Sequence, residues 1–435
     1  MPVTAIIVGA GHRSLAYAAY SEIYPDSLKI VGVAEPDPIR RRETAERFNI
    51  SADMIFESSE ELAGHERLAD AVINGTMDHM HVHTSVPLIA RGYDILLEKP
   101  VAVNAEEMLA LKEAAAKYKT RILVCHVLRY APFYAKIKEL IHQGTLGEII
   151  HLHLAEHVSY HHLAIAYVRG KWADRFASYS PMLLAKSSHD LDLMTWLKAV
   201  PPKDVSSFGS DFQFRPENAP DGSAERCIPD CIYQDTCSYS AKNLHLKQQI
   251  KRSYYVWDEL DGIANPSLED LRHSLETDNP YGRCVWKTGR QNVDHQTVSV
   301  NFEDGATGTL DMIGGAARSQ RKIHVIGTLG EVEGCFDDGI FTLRRINPLA
   351  ENGYEVEMVN IRDYLDPHEH IDDGHGGGDM LLMKDFVAHL RDEEASLSAT
   401  TLEDSINGHA IAFAADRSLL EKRLVPLEEI LSGPN

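Results

Sequence analysis

Two lysines and one histidine in this chain have the types and positions for proton-transfer chemistry. Lys99 stands in Glu98-Lys99-Pro100, and Lys186 lies one helical turn before His189. An imidazole can act as a general base near neutral pH because its pKa lies in that range. An ammonium group can stabilise negative charge that develops on a substrate oxygen. Taken alone, His189 is better explained as a structural residue at a helix start, and Lys99 as an exposed residue at a strand end.

The residues around Lys99 determine where its side chain is presented. The apolar run 95–97 is too short for an amphipathic helix and predicts a strand buried on both faces of a parallel sheet. Pro100 ends this strand because it lacks an N–H group. Glu98 and Lys99 are therefore expected at the C-terminal edge of the sheet, where ligands bind in open α/β folds.

A glycine-rich turn follows the first strand predicted near the N-terminus. The apolar run 5–8 leads into Gly9-Ala10-Gly11-His12-Arg13-Ser14 and then into a helical pattern over 15–23. Glycines at the first and third positions let the backbone turn tightly and approach a pyrophosphate. Ser14 stands where the third glycine of this dinucleotide-binding pattern usually lies. The expected cofactor contacts here are Gly9, Gly11, His12, Arg13 and Ser14.

The end of the second predicted strand favours one nicotinamide cofactor over the other. Glu35 follows the strand 30–34 at the position where an acidic residue binds a ribose 2′-hydroxyl. Its carboxylate would repel a 2′-phosphate, so NAD is favoured. Three arginines at 40–42 keep NADP as an alternative.

Strand and helix patterns alternate through residues 1–128. This order is typical of a doubly wound parallel sheet, so we predict an α/β protein with an N-terminal Rossmann domain over 1–128. Beyond it, apolar and polar residues alternate, as in the stretch 150–155. This period predicts a C-terminal α+β domain over 129–435 with an open, mostly antiparallel sheet. A cysteine-containing insertion is expected at about 201–281.

Composition and charge narrow the class of partner. The 435 residues include 43 Lys and Arg against 65 Asp and Glu, a formal net charge of -22. Such a chain repels nucleic acid and anionic membranes, so a small-molecule partner is favoured over both. The first residues already form a core strand, and no apolar run is long enough to span a membrane. We expect a cytoplasmic protein with reduced cysteines.

Four motifs in this order resemble the Gfo/Idh/MocA oxidoreductases, a family that includes glucose–fructose oxidoreductase and inositol dehydrogenase. They are the glycine-rich turn, Thr76 with His81, Glu98-Lys99-Pro100, and the segment 183–192 around His189. The resemblance implies an N-terminal Rossmann domain and a C-terminal domain with a large open sheet. It also implies a homodimer or homotetramer that forms through this sheet.

The resemblance also assigns roles to individual residues. It implies a cofactor site that includes Thr76, His81, Glu98 and Lys99. It implies that His189 is the catalytic base and that Lys99 stabilises the alkoxide or passes on its proton. Many members have an aspartate four residues before this histidine, whereas this chain has Ala185. The neighbouring Lys186 is expected to supply a compensating charge or hydrogen bond.

The predicted substrate is a small carbohydrate. Guanidinium, imidazole and carboxylate groups bind hydroxyls, while tyrosine and tryptophan faces cover C–H surfaces. The candidate substrate residues are Arg129, Tyr130, Glu156, Tyr160, His161, His162, Arg169, Trp172 and His375. The glycine loop 374–379 could hold a hydroxyl-rich or anionic part of the substrate. This loop, the insertion and residues 126–130 resemble a subgroup of longer family members.

Two groups of residues raise the question of a metal site. The first consists of His368, His370, Asp372, Asp373 and His375, and the second of Cys227, Cys231 and Cys237, which Cys284 or a histidine could complete. The first group has no diagnostic ligand spacing, and the second fits no common zinc module. We therefore predict no metal cofactor and interpret the cysteines as buried or surface thiols.

Three functions remain open from the sequence. The leading one is NAD(P)-dependent hydride transfer between the nicotinamide and a CH–OH group of a sugar, glycoside or cyclitol. The alternative is an NAD-dependent glycoside hydrolase, in which transient oxidation at C3 acidifies the C2 proton and elimination expels the aglycone. The third is a non-catalytic sugar sensor, and the presence of Lys99 and His189 argues against it.

Overall fold

The computed structural model describes residues 1–176, 178–248, 254–260, 262–263, 265–364 and 377–432. These residues form two β-sheets with helices packed against them, in agreement with the predicted fold class. No helix within the described ranges is both long enough and apolar enough to cross a membrane.

The first sheet is the predicted parallel sheet. Its strands are β1 (Val3–Val8), β2 (Leu28–Ala34), β3 (Ile55–Phe56), β4 (Ala71–Asn74), β5 (Asp94–Leu97) and β6 (Ile122–Val124). The spatial order is β3-β2-β1-β4-β5-β6, and all neighbours pair in parallel. Every residue of β5 is buried, which confirms the interpretation of the apolar run before Glu98. The strand order reverses between β1 and β4, so a ligand is expected at the C-terminal ends of these strands.

Helices pack against both faces of this sheet. They are α1 (His12–Ala18), α2 (Tyr20–Ile23), α3 (Pro38–Arg47), α4 (Ser59–Ala63), α5 (His81–Ala90) and α6 (Ala105–Tyr118). Met108 and Leu111 of α6 are buried as their helical spacing predicts. Tyr118, which has the same helical spacing and is the last residue of α6, is instead 43% exposed. Its ring lies at the surface under the Lys117 ammonium.

The second sheet is mixed and mostly antiparallel. Its strands are β7 (Ile149–Ser159), β8 (Pro202–Ser210), β9 (His295–Phe302), β10 (Thr307–Ala316), β11 (Gln320–Gly327), β12 (Gly330–Cys335), β13 (Ile340–Ile346), β14 (Tyr354–Asn360) and β15 (Val425–Pro426). The spatial order is β14-β13-β12-β11-β7-β10-β9-β8-β15. Strands β7 and β10 run parallel, whereas the other neighbours are antiparallel.

The remaining helices follow in the second half of the chain. They are α7 (Pro132–His142), α8 (Tyr160–His162), α9 (Met182–Lys198), α10 (Tyr254–Trp257), α11 (Leu268–Glu276), α12 (Gly378–Leu390), α13 (Leu402–Glu421) and α14 (Glu428–Leu431). Helices α9 and α13 pack against each other, and both contact strands of the second sheet. Helix α12 instead packs on the Rossmann sheet, where Leu382 and Phe386 share a core cluster with Ile7 and Tyr17.

The predicted insertion is largely irregular. Strand β8 takes up its first residues, and the excursion from the sheet runs from 211 to 294. In its described part only the short helices α10 and α11 are α-helical. Its apolar residues form a separate small core, which includes Ile228, Leu260 and Leu275 and also Ile165 from outside the insertion.

Candidate active site

The glycine-rich turn lies between β1 and α1, where the strand order reverses. Gly9 has a φ of +79°, and a Cβ atom at this position would lie 3.0 Å from Thr76. Gly11 is the N-cap residue of α1, and no side chain of the described residues caps this end of the helix. The turn therefore offers backbone N–H groups and close backbone access. This geometry fits a pyrophosphate and the predicted contacts at both glycines.

Glu35 follows β2 and lies beside the glycine-rich turn. Its carboxylate accepts hydrogen bonds from the N–H groups of Ala10 (2.6 Å) and Asp37 (2.9 Å). Arg41 donates to the backbone oxygens of Glu35 (2.6 Å) and Pro36 (3.0 Å). The edge of the turn thus presents a carboxylate, which suits a ribose 2′-hydroxyl better than a 2′-phosphate.

Glu98 is held by three donors after the end of β5. They are Arg13 Nε (3.0 Å), the Tyr17 hydroxyl (2.7 Å) and the backbone N–H of Lys99 (2.8 Å). Burial acts to raise the pKa of Glu98, but the charges of Arg13 and Lys99 hold this pKa below its usual value. Arg13 also binds Asp379 of α12 at 2.7 Å. We interpret Arg13 as a positioning residue that joins the glycine-rich turn, β5 and α12.

His81 connects the ends of β4 and β5. Its Nδ1 atom lies 2.6 Å from the carbonyl oxygen of Pro100, and its Nε2 atom lies 3.1 Å from that of Thr76. The Thr76 hydroxyl donates to Asn74 Oδ1 at 2.9 Å. The His81 side chain is buried. It therefore fixes the loop that follows Lys99 relative to the glycine-rich turn.

Lys99 reaches the helix that carries His189, although the two residues belong to different halves of the chain. The Lys99 ammonium donates a hydrogen bond to the carbonyl oxygen of Ala185 at 3.0 Å. Ala185 precedes His189 by four residues in α9, so both residues lie on one face of this helix. The His189 ring packs edge-on against His126 with 5.6 Å between ring centroids. The Lys99 ammonium is thus placed beside the face of α9 that bears His189.

Lys186 belongs to a buried network of charges on α9, β7 and β11. Its ammonium lies 2.8 Å from Glu156, which also binds Arg321 at 2.6 Å. Arg321 lies 3.1 Å from Asp190, the residue after His189. Burial raises the pKa of Asp190 to about 6. The positive charge of Arg321 opposes this rise, whereas the negative charge of Glu156 adds to it. The network fixes α9 to the second sheet beside His189.

A second buried group lies behind His189. Arg129 and Asp192 form a two-point ion pair with both hydrogen bonds at 2.7 Å, and both side chains are buried. His126 packs next to His409, and burial with the nearby charges of His409 and Arg129 lowers the pKa of His126 well below its usual value. The Arg129 guanidinium is therefore engaged in holding α9.

The other predicted substrate residues fall into two groups. Tyr160, His161 and His162 form α8 directly after β7, and Trp172 follows the π-helical segment Leu163–Arg169. The Trp172 indole N–H donates to Oδ2 of Asp78 at 3.0 Å. Asp78 lies close to His81 in the chain.

Tyr130 and Arg169 are instead buried in structural surroundings. Tyr130 lies in the core cluster under α12, and Arg169 lies among the residues of the insertion. His375 and the rest of the glycine loop before Gly377 lie outside the described residues.

The insertion reaches back over the glycine-rich turn. The ring of Tyr254 in α10 lies 4.7 Å from that of His12, and Asp258 lies 3.6 Å from His12 Nε2. Tyr255 packs edge-on against Trp172. Residues 254–260 therefore lie against His12 of the glycine-rich turn, and we call them the 254–260 cover.

Several residues of this region were not singled out by the sequence analysis. They are His409, Arg321 and Tyr254. His409 lies within the helical pattern of α13, and Arg321 lies on a strand with alternating polarity. No local spacing marks either residue, because each acquires its partners only through packing.

Among the described residues, no three His, Cys, Asp or Glu side chains are placed so that they could hold a metal ion as they stand. The acidic and histidine-rich group at 368–375 falls outside these residues.

Comparison with protein families identifies the two halves of the chain. Residues 3–126 match the model described as "Oxidoreductase family, NAD-binding Rossmann fold", and residues 138–427 match "Oxidoreductase family, C-terminal alpha/beta domain". Together these models cover most of the chain. The protein therefore belongs to the Gfo/Idh/MocA family of oxidoreductases, and its first domain is an NAD-binding Rossmann domain.

Individual relatives are distant but extend over long stretches. The oxidoreductase YteT of Bacillus subtilis is 24% identical over an alignment of 456 positions, which covers 99% of this chain and 99% of that protein. An inositol 2-dehydrogenase of Burkholderia cenocepacia is 21% identical over 253 residues, 57% of this chain and 69% of the relative. Among solved structures, an NAD-binding oxidoreductase from Klebsiella pneumoniae superposes with a TM-score of 0.71 at 16% identity, covering 98% of this chain and 99% of that chain. This last similarity confirms the fold.

Proposed function

We propose that the protein is an NAD-dependent oxidoreductase that oxidises or reduces a CH–OH group of a sugar, glycoside or cyclitol. The observation that carries this proposal is the placement of the Lys99 ammonium beside the face of α9 that bears His189. A base and a hydrogen-bond donor on one substrate oxygen are what alcohol oxidation requires, because a free hydroxyl is too weak an acid at neutral pH.

The glycine-rich turn and Glu35 would hold the cofactor. Backbone N–H groups at the start of α1 would bind the pyrophosphate, with close backbone access at Gly9 and Gly11, and the Glu35 carboxylate would bind an adenosine ribose hydroxyl. When bound, NAD accepts the hydride from the carbon that carries the reacting hydroxyl. The orientation of Glu35 towards the turn supports NAD over NADP.

The residues around Lys99 control the proton. His189 removes the proton of the substrate hydroxyl, and Lys99 donates a hydrogen bond to the same oxygen as negative charge develops on it. Glu98 is itself held by Arg13 and Tyr17, so Lys99 is presented from a fixed point after β5. Lys186 is paired with Glu156 and positions α9 in this scheme.

A carbohydrate substrate is supported by the candidate residues of the second half and by the relatives. Tyr160, His161 and Trp172 offer ring faces and polar atoms of the kind that bind polyols. The inositol 2-dehydrogenase relative acts on a cyclitol according to its name.

A redox-cycling glycoside hydrolase is the second candidate. It is favoured by the 254–260 cover, whose contacts with His12 would hinder release of a dinucleotide from the glycine-rich turn. An enzyme that retains NAD can oxidise C3 of a glycoside and eliminate the aglycone across C2 and C1. Water then adds to the double bond, with its oxygen at C1 and a proton at C2, and the hydride returns to C3 within one catalytic cycle.

One experiment separates these functions. Absorbance and mass analysis of the purified protein show whether nicotinamide co-purifies, before and after exposure to a panel of sugars and aryl glycosides. NADH that accumulates with one sugar supports the dehydrogenase, whereas aglycone release without net NADH supports the hydrolase. The His189→Asn variant should lose either activity, with the surface variant Lys112→Ala as a control. Full activity of His189→Asn would exclude the proposed site.

A further inference from the structure

Four cysteines from distant parts of the insertion line one cavity of about 360 Å³. Cys227, Cys231 and Cys237 come from one stretch, and Cys284 comes from near the end of the insertion. Cys227, Cys231 and Cys284 are buried, and all four are free thiols. The fold therefore brings these four cysteines together in one cavity, which the sequence alone did not show.

A buried arginine next to this cavity has no acidic partner among the described residues. The Arg169 guanidinium is 5% exposed and donates to the carbonyl oxygens of Arg283 and Tyr239, both at 2.7 Å. Its Nη2 atom also lies 3.4 Å from Cys227 Sγ, and its Nη1 atom is buried with no hydrogen-bond partner in the described part of the chain. A buried cation without an anion is strongly destabilising. A thiolate at Cys227 would supply the missing negative charge.

One of the sulfur atoms already accepts a backbone hydrogen bond. The N–H of Tyr239 donates to Cys237 Sγ at 3.3 Å. The donor lies two residues after the cysteine. Such bonds stabilise negative charge on sulfur and are a common feature around thiolate ligands of metals.

The insertion has little regular structure and a small core of its own. Its described helices α10 and α11 have 4 and 9 residues, and its separate core cluster consists of ten buried residues among those described. Small units with little secondary structure and a small core usually depend on disulfides or a structural metal. Four free thiols in one cavity offer the second solution.

We propose that Cys227, Cys231, Cys237 and Cys284 bind a thiolate-ligated metal centre, either one zinc ion or an iron–sulfur cluster. Four sulfur ligands select these soft centres over magnesium or calcium. On binding, each thiol loses its proton to solvent and the sulfur forms a bond to the metal, so the centre carries net negative charge beside Arg169. The four side chains line one cavity but do not stand in a metal-binding arrangement, so binding requires their sulfur atoms to turn towards a common point.

The test is the metal content of the full-length protein, purified without metal-chelating resin both in air and under anaerobic conditions. Elemental and acid-labile sulfide analysis is expected to give about one zinc per chain, or about four iron and four sulfide with visible absorption. Titration of metal-depleted protein with Co²⁺ gives a second readout, because cobalt–thiolate bonds absorb strongly. This test does not depend on knowing the substrate.

Matched variants localise the centre. Cys237→Ser and Cys284→Ser should lose the bound metal and the cobalt–thiolate absorption. Cys335→Ser replaces a cysteine of β12 outside the cavity and should keep both. The proposal is overturned if wild-type protein from both preparations contains less than about a tenth of a metal per chain and takes up no Co²⁺. It is equally overturned if mass spectrometry finds these cysteines in disulfides, or if Cys237→Ser retains the metal.

Discussion

The Lys99 ammonium donates a hydrogen bond to the backbone carbonyl oxygen of Ala185, 3.0 Å away. This contact joins the end of β5 in the Rossmann sheet to α9, the helix that carries His189. The methyl side chain of Ala185 supplies no carboxylate, so Lys99 binds its backbone oxygen. The proposed function places the substrate hydroxyl between this ammonium and His189.

Replacement of Lys99 should remove catalysis with little effect on cofactor binding. In Lys99→Ala, kcat is expected to fall by roughly 10²–10⁴-fold, because the donor to the reacting oxygen is lost. The dissociation constant for NAD, measured by calorimetry, should change by less than about fivefold, since the glycine-rich turn is untouched. Lys112→Ala, which removes a surface lysine of α6, is the control. Equal loss of NAD affinity and turnover would show that Lys99 acts through folding instead.

The buried pair of Arg129 and Asp192 should be important for stability. Asp192→Asn leaves the Arg129 guanidinium buried without an anion, so the free energy of unfolding should fall by about 3–5 kcal/mol. Urea denaturation followed by circular dichroism measures this change. The control is Glu22→Gln, which breaks an exposed pair with Arg47 and should have a small effect. A similarly small effect of Asp192→Asn would show that the pair is not required to hold α9.

Glu35 should determine the choice between NAD and NADP. In Glu35→Gln, affinity for NAD is expected to fall about tenfold while affinity for NADP rises, because the charge that repels a 2′-phosphate is removed. Calorimetric titration with each cofactor gives the ratio. Glu57→Gln removes an exposed carboxylate near Arg41 and should leave the ratio unchanged. A wild-type preference for NADP would contradict this assignment.

His409 should make folding sensitive to acid. Burial lowers the pKa of His409 to about 4. The Asp192 carboxylate opposes this shift, whereas the positive charge of Lys99 adds to it. Its Nε2 atom accepts the N–H of Val101 at 3.0 Å and its Nδ1 atom faces the Ser405 carbonyl oxygen at 2.9 Å, so a second proton would displace the Val101 bond. The unfolded state, with a pKa near 6.5, binds the proton first. Stability is therefore complete above about pH 6.5 and is lost as pH falls towards 4.

The measurement for His409 is the free energy of unfolding between pH 4 and 8. His409→Gln keeps an acceptor near Val101 but cannot take up a proton, so its stability should depend less on pH in this window. An unchanged pH dependence in the variant would assign the effect to other groups.

The open face of the second sheet should form a homodimer or homotetramer. Val356 and Met358 of β14 and Ile346 of β13 are 60%, 73% and 60% exposed, although strands with such residues usually bury them. Light scattering should give a mass of two or four chains, and Met358→Glu should shift it towards one chain. A monomer at every concentration in the wild type would contradict the prediction.

Local sequence patterns were sufficient for the Rossmann sheet and its loops. The apolar run before Glu98 predicted β5, and the glycines at 9 and 11 predicted the turn after β1, because strand burial and tight turns depend on residues adjacent in the chain. The alternation of apolar and polar residues likewise predicted the second sheet. It did not predict the parallel pairing of β7 with β10, since a strand's own pattern does not encode its neighbour.

The partners of individual charged and polar residues were decided only by the tertiary structure. Sequence favoured Arg129 as a substrate ligand, whereas the fold pairs it with Asp192. Sequence left Cys284 as one of several partners for Cys227, whereas the fold places both in one cavity. Residue types and spacings along a chain determine which elements form and what chemistry is available. Which side chains meet across long separations depends on how those elements pack, and that information is carried by the whole core rather than by any local stretch.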